Sequence, residues 1–147
     1  MHKIAINHAN QIVVRLLKSL INASKAPLRV AELEGDAVFF YALCAGNDIG
    51  KKAELVKEQI IELHNSFRRE LELLMDIRVC NCEACLRAGD LKLKQIVHVG
   101  EIEVEKIHNI KQIFGLDAIV VHRMLKNSLS SREYIIAFSL CTLLLHR

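Results

Sequence analysis

Tryptophan is absent, and aromatic residues make up only 5% of the chain. So few rings leave little for nucleobases to stack on. The net charge is only +3, with acidic and basic residues interleaved, so no concentrated basic face offers itself to a nucleic acid. Nor is there an apolar block of the ~20 residues that a membrane-spanning helix needs. The one lipid-like run, EYIIAFSLCTLLL near the C-terminus, falls short of it. The opening MHKIAINHANQIVVRLLKSL starts cationic but has neither the apolar block nor the small-residue cleavage site of a signal peptide. These absences predict a soluble, cytoplasmic protein that binds neither nucleic acid nor membrane. Without a secretion signal, five cysteines, an odd number, read as thiols or metal ligands and not as a disulfide framework.

Apolar residues, by contrast, are plentiful. At 52% of 147 positions they suffice for one well-buried core, and residues 1–147 read as a single domain. The spacing of Ala9, Val13, Leu16, Leu17 and Leu20 predicts a helix over residues 7–23, with Pro27 as the break that follows. Residues 28–34 and 37–43 read as two strands joined at Gly35-Asp36, good material for a tight hairpin turn. The second strand is apolar from end to end, as expected of a central strand covered on both faces. After a loop with Gly46, Asn47, Asp48 and Gly50, the stripe Val56, Ile60, Leu63, Phe67, Leu71 and Leu74 predicts a long helix over residues 51–76. The segment RVCNCEACLRAGD is irregular, LKLKQIVHVG alternates like a half-buried strand, and EIEVEKI continues extended. Residues 116–126 suit a short helix, and REYIIAFSL returns as a strand. This order predicts an α+β sandwich of ferredoxin-like plan, a sheet with helices packed on one face.

The residues that could carry chemistry are few. Cys80, Cys82 and Cys85 place three thiols within six residues, and thiolates so spaced can converge on one zinc ion, which takes four nitrogen or sulfur ligands in a tetrahedron. His98, His64, Cys44 or a group from a second chain are the candidates for the fourth place. The plainer alternative is a cluster of reduced, redox-sensitive thiols capping the helix. No His-Glu-x-x-His pair, phosphate-binding loop, Gly-x-Ser-x-Gly elbow or dinucleotide fingerprint occurs.

Taken in order, AELEGDAVFFYA, RVCNCEACLRAGDLKLKQIVHVGEI, IFGLDAIVVHRMLKNSL and EYIIAFS resemble an uncharacterised bacterial family distantly related to the class III adenylate and guanylate cyclases. The resemblance implies a class III nucleotide cyclase-like fold, truncated at both ends as a fragment or a shortened paralogue. In cyclases two Asp residues hold two divalent cations, Mg or Mn, over a nucleoside triphosphate, and positioning and charge neutralisation supply most of the catalysis. Asp36 matches one of these metal-binding Asp residues, and no Asp precedes it to match the other. Glu32 and Gln112 fall at the two base-selecting positions. Arg123 matches the transition-state Arg, while its Asn partner one turn earlier is replaced by Ile119.

With half of that machinery missing, the resemblance implies a non-catalytic, dimerising or nucleotide-sensing module. The apolar stretch 135–145 adds a reason to expect a homodimer. Two alternatives stand beside it: a cyclase completed by a partner or by further N-terminal residues, and a zinc- or redox-responsive module built on the cysteine triplet. Each matched residue also has a plainer reading. Asp36 is a solvated turn residue, Glu32 and Glu34 share the exposed face of a strand, and Arg123 is a surface cation.

Overall fold

A computed structural model describes residues 2–44, 48–108, 110–125 and 134–137. Helix α1 (His2–Ala23) buries Ile12, Leu16, Leu17 and Leu20 along one stripe. It stops at Ser24, whose hydroxyl donates to the Ile21 carbonyl at 2.7 Å and so satisfies an orphan acceptor of the last turn. Helix α2 (Ile49–Asp76) buries Val56, Leu63, Phe67 and Leu71, with Ile60 and Leu74 at the margin of the same core. The two helices pack against each other, and their polar contacts reveal the direction. Arg15 Nε donates to Glu70 Oε1 at 2.8 Å, Ser66 Oγ to the Ser19 carbonyl at 3.1 Å, and the Lys25 amide to Gln59 Oε1 at 2.6 Å. As numbering rises along α1 it falls along α2, so the helices are antiparallel.

Strands β1 (Arg29–Glu34) and β2 (Ala37–Tyr41) form the expected hairpin. Gly35 takes φ +59° at the first central position of the turn, where a side chain would be strained, while Asp36 occupies the second. The register shifts between Val30 and Glu32, which sets Glu32 opposite Phe39 and Glu34 opposite Ala37. All five residues of β2 are buried. Its side chains alternate between two cores, as the period of a strand demands. Val38 and Phe40 pack with α1 and α2, whereas Ala37 and Phe39 pack with Ile96 and Val121.

A short helix α3 (Glu83–Leu86) and a 3₁₀ turn (Ala88–Asp90) lead into β3 (Lys94–Val97). Strand β4 (Glu103–Ile107) pairs antiparallel with β5 (Ile110–Phe114), with His108 at φ +56° where they turn. Helix α4 (Leu116–Met124) follows, and β6 (Tyr134–Ala137) pairs in parallel with β3.

The mixed α+β character stands, but two expectations need correction. The strands do not form one sheet: among the described residues they pair two by two, β1 with β2, β3 with β6 and β4 with β5. Nor do the helices share one face. Val121 of α4 packs on Phe39 and Ile96, the side of β2 opposite α1 and α2, because β2 and β3 carry apolar side chains on both faces. The sequence reading does not contain β5, nor the short helix α3 and the 3₁₀ turn, which lie inside the stretch read as irregular. Of the apolar stretch 135–145, only 135–137 lie within the described residues, and Ile135 is exposed.

Candidate metal centre

The antiparallel helix pair fixes what lies opposite the start of α1. Stepping from Arg15 back to His8 moves two turns toward the N-terminus, and the matching step along α2 runs past Glu70 to its C-terminal end. The chain leaving that end therefore passes His8. It carries the cysteines: Cys80 and Cys82 lie in the loop, Cys82 is the N-cap of α3, and Cys85 lies within α3. His8 Nδ1 is 3.5 Å from Cys82 Sγ and 3.3 Å from Cys85 Sγ. The ligand atoms of His8, Cys80, Cys82 and Cys85 all lie within 4.8 Å of one another, and all four residues are half-buried.

Tetrahedral zinc with bonds of ~2.0–2.3 Å sets its nitrogen and sulfur ligands about 3.5–3.8 Å apart. The observed separations of His8 from the two sulfurs are close to that spacing. Three thiols and one imidazole are also the donor set that suits zinc, soft enough to exclude Mg or Ca. The residue that the fold brings to the fourth place beside the three thiols is thus His8, not any of the candidates taken from the sequence. His98 is engaged elsewhere, and Cys44 lines a different cavity.

Backbone geometry prepares the site for negative sulfur. The Cys82 amide donates to Cys80 Sγ at 3.4 Å. The Cys85 amide donates to the Cys82 sulfur and is the main cause that lowers the Cys82 thiol to about 6, with hydrogen bonds from Cys85, His8 and Cys80 adding to it against burial. Burial is the main cause that pushes Cys85 up to about 11, reinforced by hydrogen bonds with Cys82 and Cys80 and by their negative charge. A metal that takes all three sulfurs as thiolates must displace protons to bind.

A second cluster ties β3 to α4. Asp117 Oδ1 lies 2.6 Å from His98 Nε2, and its Oδ2 accepts the Glu101 amide at 2.8 Å. These two hydrogen bonds, His98 first, lower the Asp117 carboxyl below its ordinary value. Gly100 makes the approach feasible, because a Cβ there would overlap the carboxylate. Beside it opens a cavity of about 700 Å³ lined by Leu43, Cys44, Glu101, Ile102 and Leu116 among others.

The residues carried over from the cyclase resemblance stay apart from both clusters. Asp36 is exposed at the hairpin turn, Gln112 is exposed on β5 opposite Glu105, and Arg123 is exposed on α4. Glu32 and Glu34 share a face of β1 and flank His122, with carboxylate oxygens 3.8 Å and 3.4 Å from its ring nitrogens. That ring stacks on Phe39 at 4.4 Å. Among the described residues, the only group of three or more His, Cys, Asp or Glu poised around one point is the one containing His8. Asp36 gains no such company for Mg or Mn.

The chain is similar to an uncharacterised protein of Mycobacterium tuberculosis (Rv2561/Rv2562), with 34% identity over 123 residues. Those residues are 84% of this chain and 55% of the relative, so the chain spans about half the length of the protein it matches. No solved structure matches it. Residues 13–134, which hold all three cysteines of the cluster but not His8, match the family described as "Protein of unknown function (DUF2652)", and the chain belongs to that family.

Proposed function

We propose that the chain is a zinc-binding module in which one ion clasps the N-terminal part of α1 to the segment that leaves α2. The convergence of His8 with Cys80, Cys82 and Cys85 carries this reading. The four protein ligands complete a tetrahedron and leave no open position, which favours a structural role over a catalytic one. Protein purified without chelator should contain about one zinc ion per chain by elemental analysis. Cys82→Ser should lose it, while Cys141→Ser, outside the described residues, should keep it. Metal-free wild-type protein with all its thiols reactive would overturn the proposal.

A second reading concerns association. Helix α4 turns Leu116, Ile119, Val120 and Arg123 outward, one stripe at helical spacing, and the three apolar members are exposed. The stripe borders the larger cavity through Leu116. Such a face supports a dimerising module, and the resemblance in sequence alone adds to it a non-catalytic, nucleotide-sensing role of cyclase-like plan. Exposed Ile119 stands where a cyclase would need Asn. Sedimentation should show a dimer at micromolar concentration that Ile119→Glu shifts to monomer. A monomeric wild-type protein would exclude this reading.

A further inference from the structure

Zinc held by three thiolates in a half-buried site is open to oxidation, and the surroundings of this one select which sulfurs react. A cavity of about 210 Å³ adjoins the cluster, with Ile12, Leu74, Ile77 and Ala88 among its walls. Of the four ligands, His8, Cys80 and Cys85 line it and Cys82 does not. We infer that a small hydroperoxide entering this cavity joins Cys80 and Cys85 in a disulfide and expels the metal, so that the clasp opens on oxidation. The inference rests on the zinc reading above and adds its regulation.

Hydrogen peroxide fits the space, being small and uncharged. Gln11, Arg15 and Arg78 line the same cavity and bring N–H groups that can donate to a departing oxygen. The chemistry balances in two displacements. The thiolate of one cavity-facing cysteine attacks a peroxide oxygen, an S–O bond forms, the O–O bond breaks, and hydroxide leaves. The second cavity-facing thiolate then attacks the sulfenic sulfur, an S–S bond forms, the S–O bond breaks, and a second hydroxide leaves. Two electrons from the two sulfurs have reduced one peroxide, and solvent protonates the hydroxides. Zinc keeps only His8 and Cys82, too few ligands to hold it. With the ion gone, α1 and α3 keep only their packing and lose the tie through metal.

The test uses the full chain loaded with zinc, treated with limiting hydrogen peroxide and then catalase. Released zinc is read with a chromogenic chelator, remaining thiols by titration, and the new bond by peptide mapping. The expected result is one zinc ion released and two thiols lost per peroxide consumed, a Cys80–Cys85 disulfide in the map, and full recovery on reduction with added zinc. The Cys44→Ser/Cys141→Ser double variant should respond identically. Zinc retained with its thiols intact, a disulfide that includes Cys82, or sulfinate as the main product would each overturn the inference. Elemental analysis before treatment separates the two levels: a chain that never held zinc fails the proposed function itself, and one that holds it through peroxide fails this inference alone.

Discussion

Asp117 shows how much one side chain can organise. It lies in the first turn of α4, yet both its oxygens are committed backward, to His98 and to the Glu101 amide. Two glycines make room. Gly100 yields its Cβ space to the carboxylate, and Gly115, at φ +135°, lets the chain pass close to the Glu101 carbonyl. Because the folded state lowers the Asp117 carboxyl, its ionised form contributes stability above the unfolded value of ~3.9, and that contribution is lost as pH falls through the lowered folded value. Asp117→Asn should therefore be less stable than wild type at neutral pH, and the gap should narrow steadily in acid. Urea unfolding of both proteins without metal, from pH 7 down to about pH 3, checks it. A gap unchanged across that range would mean that the charge of Asp117 plays no part.

At the scale of elements, what could be read from the sequence was what is local. The stripe along α2 is visible in its own residues, and Leu63 and Phe67 are each only 1% exposed. The hairpin is visible because Gly35-Asp36 is good turn material and is followed by a strand that is apolar throughout. Strand β5 is hard to read because IKQIF carries a polar pair inside a short apolar frame and, among the described residues, pairs only with the nearby, largely exposed β4. The metal cluster was half legible for the same reason. Its three cysteines stand within six residues, but His8 is 74 positions from Cys82 and nothing in its own neighbourhood marks it. The signal that could have found it is indirect: two long amphipathic helices joined through one hairpin pack antiparallel, so the start of the first meets whatever follows the second. The placement of α4 on the far side of β2 depended equally on partners remote in sequence, Phe39 and Ile96.

Across the whole molecule, β2 is the common wall of two cores. The larger core joins α1 and α2 to Val38 and Phe40, and it extends through Ala88 and Leu93 to the segment beyond α3. The smaller joins α4 to Ala37, Phe39 and Ile96. The cysteine cluster sits at the margin of the larger core, where Cys85 packs against it. No described helix is long and apolar enough to cross a membrane.

The spacing of the four ligands has a consequence for the denatured chain. Three thiols separated by one and two residues remain neighbours however the backbone wanders, so an unfolded molecule can still grip zinc with them. Only His8 has to be delivered by folding. A metal that binds both states stabilises the native one by the ratio of the two affinities, not by its full binding strength. The melting temperature should thus climb with the first additions of zinc and then level off, once the unfolded chain fills as well. His8→Ala should retain much of its zinc yet lose most of that climb, which calorimetry at a series of free zinc concentrations would show. An equal climb in the variant would mean that the triplet is shaped for zinc by the fold alone, with the imidazole a bystander.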